Sequence, residues 1–168
     1  MIARAHPNFA LRPFLPADAP DVVAIFRDSV EKLTADDYAD AQRDAWASAA
    51  DDEEAFAERL AGELTLVATL DGTVVGFASL EDAQRIDMLY VHPAVAGQGA
   101  GSMLCDALEK LAAARGTTRL SADASDSARD FFARRGYVPQ QRNSVAIGGE
   151  WLANTTMEKK LTTNRSAP

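Results

Sequence analysis

Phe9 to Phe14, apolar except at Arg12 and Pro13, is expected as a first strand. Pro16-Ala17-Asp18-Ala19-Pro20 then reads as a helix start, with Asp18 expected as its cap and Pro20 tolerated in the first turn. Val22, Val23, Phe26, Val30 and Leu33 follow at helical spacing and mark one apolar face. A second helical region is expected over 36–47 and a third over 51–61, stopped by Gly62. Glu63 to Leu70 and Thr73 to Leu80 flank Asp71-Gly72, a dipeptide that favours a two-residue hairpin turn. Ile86 to Val91 is a strand closed by His92-Pro93 and is expected to lie antiparallel beside that hairpin. The pattern changes to helical over 102–115, stops at Gly116, and returns as a strand from Arg119 to Asp123, which makes one βαβ crossover. A helix over 127–135 ends at Gly136, and Tyr137–Ile147 with Trp151–Leu161 form a last hairpin around Gly148-Gly149.

This order predicts an α/β domain with a mixed, mostly antiparallel central sheet flanked by helices. A doubly wound nucleotide fold would repeat parallel units from the start, and this chain does not. One domain is expected over 1–161, with 162–168 a loose polar tail.

Composition narrows the function classes. With 168 residues, 47% of them hydrophobic, the chain can bury a sizeable core. No apolar run approaches the roughly 20 residues of a membrane span. Residues 1–7 lack the apolar centre of a signal peptide, and the single Cys105 has no disulfide partner, so the cytoplasm is expected. Cys105 reads as a small buried hydrophobe, His6 lies in the terminus, and His92 reads as a strand-end cap. No metal-ligand spacing is present. The formal net charge of −8 argues against nucleic acid as a partner. Acidic residues crowd the stretch from Asp36 to Glu58 and read as solvated helix faces.

The chemistry concentrates at Gly97-Gln98-Gly99-Ala100-Gly101-Ser102, between the strand at 86–91 and the helix after it. A glycine-rich strand-to-helix turn leaves backbone N–H groups free at the positive end of a helix dipole, a ready site for phosphate oxygens. No lysine follows the last glycine, which excludes a P-loop, and the dinucleotide fingerprint fails because its third glycine falls on Ser102 or Leu104. The segment resembles the acyl-CoA pyrophosphate loop of the GNAT N-acetyltransferases, with Gly99 and Gly101 in place and Ala96 where the family carries Gln or Arg. Leu89-Tyr90-Val91-His92-Pro93 and the late run Ala128 to Tyr137 also resemble that family, and the likeness extends over nearly the whole chain. Asp37-Tyr38 through Trp46, and Leu152-Ala153-Asn154 leading to Met157-Glu158-Lys159, are similar to the YafP-like branch of bacterial acetyltransferases.

The resemblance implies a GNAT fold with one CoA-binding βαβ unit, and transfer of an acetyl group from acetyl-CoA to a primary amine by direct attack in a ternary complex. It implies CoA contacts from Leu89, Tyr90, Val91, Ala96, Gly97, Gln98, Gly99, Ala100, Gly101, Ser102, Ser125 and Phe132. Its partners are acetyl-CoA and the amine, with no metal, nucleic acid or membrane; a homodimer is left open. Many relatives place a tyrosine acid where this chain has Phe132, which leaves Tyr90 and Tyr137 as proton donors to consider.

For the base, Asp87 interrupts an apolar strand, and alternation sets it on the face opposite Ile86 and Met88. A carboxylate facing a closed pocket is expected to have a raised pKa and to accept a proton, with Asp123 and Glu81 as rivals. Tyr38, Trp46 and Trp151 are expected to wall the acceptor pocket, by analogy with the family. A non-catalytic acyl-CoA-binding module is the competing reading, favoured by Phe132 and Ala96. Acetylation of charged tRNA is disfavoured by the acidic balance.

Overall fold

The structure, a computed structural model, describes residues 8–162. His6 and, apart from Thr162, the expected tail lie outside them. Seven strands form one sheet in the order β1-β2-β3-β4-β5-β7-β6. They are β1 (Phe9–Pro13), β2 (Leu64–Leu70), β3 (Thr73–Glu81), β4 (Arg85–Val91), β5 (Arg119–Ser125), β6 (Val138–Ile147) and β7 (Glu150–Lys160). Five α-helices join them: α1 (Ala19–Leu33), α2 (Asp40–Ala47), α3 (Glu53–Ala61), α4 (Ala100–Ala114) and α5 (Arg129–Arg134). Every pairing is antiparallel except β4 with β5, as expected for a single crossover. The last hairpin enters in reverse, so that β7 pairs with β5 and β6 forms the edge.

Helices cover both faces of the sheet, and this is why β3 is buried along nearly its whole length. On one face, Leu104, Cys105 and Leu108 of α4 pack with Ile86, Leu120 and Met157. On the other, Val22, Phe26 and Val30 of α1 and Phe56 and Leu60 of α3 pack against Val67, Phe77 and Met88. The β2–β3 turn forms at Asp71 (φ 52°) and Gly72 (φ 82°), the double positive φ that Asp-Gly tolerates.

Several local expectations change. Asp18 lies in a short 3₁₀ turn with helical φ and ψ, so its carboxylate turns backward and does not cap α1. It accepts the Leu15 N–H at 2.8 Å and both Arg12 Nη atoms at 2.7 and 2.8 Å. Hydrogen bonding from Arg12 holds this carboxyl below its ordinary value and ties β1 to α1. Helical structure in the second region begins at Asp40, because residues 34–39 turn to bring Tyr38 inward. Leu33, expected on the buried face, is 38% exposed. α4 begins at Ala100, two residues earlier than its apolar pattern, since small residues at its start carry no hydrophobic signal.

The most consequential difference is at Asp87. Ser79 pairs with Met88 and Leu80 with Ile86, so Asp87 is an extra residue on β4, a bulge. Simple alternation fails there: Ile86 joins the core under α4 while Met88 joins the core under α1 and α3.

Candidate active site

β4 and β5 pair only at Arg85↔Ser121 and Ile86↔Ala122, and beyond those two rungs β4 has no strand on that side. The His92 N–H donates to Val75 O at 2.7 Å, toward β3. Alternation along the strand then sends the N–H groups of Leu89 and Val91 to the opposite, open edge. Gly97 (φ 75°) and Gly99 (φ 102°) turn the chain from the short 3₁₀ segment Pro93–Val95 into α4. The first helical bond runs from Met103 N to Gly99 O at 3.0 Å, so the N–H groups of Ala100, Gly101 and Ser102 precede it. Gln98 turns its amide back to Ala94 O at 3.3 Å, and His92 Nδ1 accepts the Ala94 N–H at 3.0 Å, the expected cap. Ala96 follows the 3₁₀ segment as its C-cap.

The opening between β4 and β5 holds two chambers. One, of about 220 Å³, is bounded by Leu89, Val91, Gly101, Ala128, Phe131 and Phe132. The other, of about 290 Å³, is bounded by Tyr38, Phe56, Arg59, Arg85, Asp123 and Asn154 among others. Trp46, Asp87, Tyr90 and Ser125 belong to both and mark where they meet. Ser125 Oγ accepts the Ala128 N–H at 3.1 Å and opens the turn into α5. Phe132 is buried, edge-on to Phe131 and Tyr137. Tyr137, weighed from sequence as a proton donor, bonds Glu109 Oε2 at 3.1 Å and lines neither chamber.

The aromatic residues divide. Trp46 donates its indole N–H to the Tyr90 hydroxyl at 3.3 Å. Tyr90 sits among Phe26, Phe77 and Trp46, and burial pushes its phenol up to about 12, so it keeps its proton at neutral pH. Tyr38 is a clamp as well as a wall: its hydroxyl donates to Ala153 O at 2.5 Å and accepts the Asp126 N–H at 2.9 Å. Trp151 is 65% exposed and lines neither chamber, so the structure does not bring it to the pocket expected for it. It stands on the outer part of β7, where its carbonyl accepts from Gln42 at 2.8 Å.

Charge gathers on the floor of the second chamber. Asp87 receives Arg59 bidentately at 2.7 and 3.0 Å and Arg85 Nη2 at 3.0 Å. Burial alone would raise this carboxyl, but the adjacent Glu63 carboxyl, the Arg59 hydrogen bonds and the guanidinium charges of Arg59 and Arg85 hold it below its ordinary value. The expectation of a raised Asp87 pKa is therefore corrected. At the bulge the side chain meets two arginines, Arg59 and Arg85. Arg85 also bonds Glu81 at 2.5 and 3.0 Å and reaches Asp123 at 3.4 Å, so all three carboxylates read from sequence meet on one guanidinium. Asp123 additionally accepts from the Thr156 hydroxyl at 2.6 Å.

The raised group is Glu63, which follows α3 and precedes β2. Burial, with Asp87 close by, pushes its carboxyl up to about 7. Sequence reasoning treated it as the first residue of a strand. The available signal was an acid at the head of an apolar strand, one helical turn after Arg59.

Among the described residues, no group of three or more His, Cys, Asp or Glu side chains is placed to hold a metal ion. No helix of these residues is long and apolar enough to cross a membrane.

Comparison with known proteins bears on this geometry. Residues 34–161 match the acetyltransferase (GNAT) domain family. The chain is 33% identical over 153 residues to a protein of Escherichia coli K12 described as the uncharacterized N-acetyltransferase YafP, covering 91% of this chain and 97% of that one. A crystal structure from Rhodopseudomonas palustris, described as a GCN5-related N-acetyltransferase and as an aminotransferase of class II, superposes with a TM-score of 0.91 at 61% identity, covering 96% and 99% of the two chains. YncA from Salmonella typhimurium, solved with its cofactor acetyl-CoA, superposes with a TM-score of 0.63 at 25% identity, covering 96% and 98%.

Proposed function

The chain belongs to the GNAT acetyltransferase family, and on that premise we propose that it transfers the acetyl group of acetyl-CoA to a primary amine of a small molecule or peptide. The observation that carries this reading is the parting of β4 from β5 beside the N-terminus of α4, with two chambers meeting at Asp87 and Tyr90. The main-chain N–H groups of Ala100, Gly101 and Ser102 suit the pyrophosphate of CoA, needing no basic side chain. When bound, acetyl-CoA supplies an activated acetyl thioester. The open-edge N–H of Leu89 or Val91 suits the thioester oxygen, which gains charge as an amine attacks.

The second chamber suits the acceptor: Phe56, Val145, Ile147 and Leu152 offer it apolar walls, and Asp87 lies at the junction. An ammonium has no lone pair, so it must first lose a proton, and Asp87 is the base on this reading. Tyr90 is the proton donor for the departing thiolate. Its hydroxyl accepts from Trp46 and so keeps its own hydrogen to give, a role Phe132 cannot fill.

The test pairs two measurements. Acetyl-CoA is expected to raise the melting temperature, and free thiol is expected to appear when a panel of primary amines is added. No thermal shift with acetyl-CoA overturns the reading. A shift with no thiol release from any amine favours the alternative, an acyl-CoA-binding module without catalysis, which Ala96 and the buried Phe132 support.

A further inference from the structure

Glu63 Oε2 is buried and has no hydrogen-bond partner, and neither has the neighbouring Ser79 Oγ. Glu63 Oε1 stands 3.7 Å from Arg59 Nε, on the same guanidinium that grips Asp87. Two carboxylate oxygens can bond only if one of them carries a proton, and Glu63 and Asp87 both stand at the Arg59 guanidinium. Both side chains are shielded, Glu63 at 12% exposure and Asp87 at 2%. The groups around them are Arg59 from α3, Arg85 and Tyr90 from β4, Ser79 and Glu81 from β3, and Asp123 from β5.

We infer that Glu63 and Asp87 share a single proton and act as one base, with Asp87 receiving the acceptor's proton and Glu63 storing it. This rests on the proposed acetyl transfer. In the pair's doubly ionised form, Arg59 faces both carboxylates, and Arg85, shared with Glu81 and Asp123, adds a second positive charge beside Asp87. An N–H bond of the substrate ammonium breaks, an O–H bond forms on Asp87, and the neutral amine keeps the electron pair. The proton then moves from Asp87 to Glu63, which restores Asp87 as the anion its two arginines favour. Such a pair titrates as a unit, and its working pKa is the one that burial and Asp87 give Glu63, about 7. A general base is most effective near that value. Asp87 alone, held low, would be a weak base.

The test needs no acceptor at its first stage. Carbon-13 NMR of side-chain carboxyls, with Glu63→Gln for assignment, is expected to show Glu63 titrating near 7. An ordinary value near about 4.3 overturns the inference. The linked stability has a definite sign. A folded pKa above the unfolded one contributes fully below about 4.5, is lost as pH rises through about 7, and is absent above it. Glu63→Gln keeps a donor toward Asp87 and should remove that decline in denaturation free energy. With an active acceptor, the same variant should lose on the order of 10² in kcat/KM at neutral pH and shift the acidic limb to lower pH. An unmoved acidic limb overturns the relay. If no amine is acetylated at all, acetyl transfer fails as a reading while the NMR titration still decides whether the proton is shared.

Discussion

Asp87→Asn is expected to lower kcat/KM by about 10²–10⁴ and to erase the acidic limb of its pH profile, because an amide cannot take the acceptor's proton. The same change strips the charge between Arg59 and Arg85. Breaking a fully buried pair costs about 3–5 kcal/mol. Here the arginine side chains are 52% and 37% exposed, so water solvates much of what is released and about 1–2 kcal/mol is expected. Glu63 would respond as well. Without the Asp87 charge, its carboxyl should fall toward the ordinary glutamate value and replace Asp87 as the partner of Arg59. The variant should therefore fold and bind acetyl-CoA while turning over poorly. Steady-state kinetics across pH checks this, and an acidic limb that survives moves the base to Asp123 or Glu81.

Gly101→Ala separates folding from binding. A Cβ at this position would stand 3.8 Å from the Phe131 ring and 3.9 Å from Val91 Cγ1, an ordinary packing distance in the empty cleft. Alanine also suits a helix better than glycine, by up to about 1 kcal/mol. The melting temperature is thus expected to hold or rise. The same methyl group occupies the approach to the amides at the start of α4, so the Kd for CoA should rise about tenfold or more, about 1.4 kcal/mol. Gly99 is a poorer place to ask the question. Its φ of 102° strains any side chain, and a loss of binding there would be mixed with a loss of fold. Calorimetric titration with CoA gives the answer; unchanged affinity in a folded Gly101→Ala protein would remove the loop as the phosphate site.

Features encoded locally were legible in the sequence. Asp71-Gly72 announces its hairpin, the spacing of Val22, Phe26 and Val30 announces α1, and Gly97 and Gly99 announce the turn from strand into α4. These signals arise from a few adjacent residues, so one sequence suffices to read them. The charged floor was only half legible. Asp87, Glu81 and Asp123 stand out as acids at strand positions, but the arginine that grips Asp87 bidentately arrives from α3, 28 residues earlier. The bulge at Asp87 is likewise a property of two strands, set by how β3 pairs with β4, and a period-two reading passes straight over it. Glu63 was missed for the same reason, since its environment is assembled from α3, β3 and β4. Trp151 was misplaced because an aromatic residue in a strand announces a face without saying whether that face is covered.

Two rungs join β4 to β5, and this short seam gives the sheet an uneven response to solvent exchange. Leu89 and Val91 lie in the fourth of seven strands, where backbone amides ordinarily rank among the slowest to swap hydrogen for deuterium. Their N–H groups point into the gap, so in the empty protein they should exchange like those of an edge strand, while Met88 and Tyr90, turned toward β3, stay protected. A molecule lying in the gap would supply the acceptors that the sheet omits and slow Leu89 and Val91 selectively. On the proposed reading, a bound thioester completes the middle of this sheet.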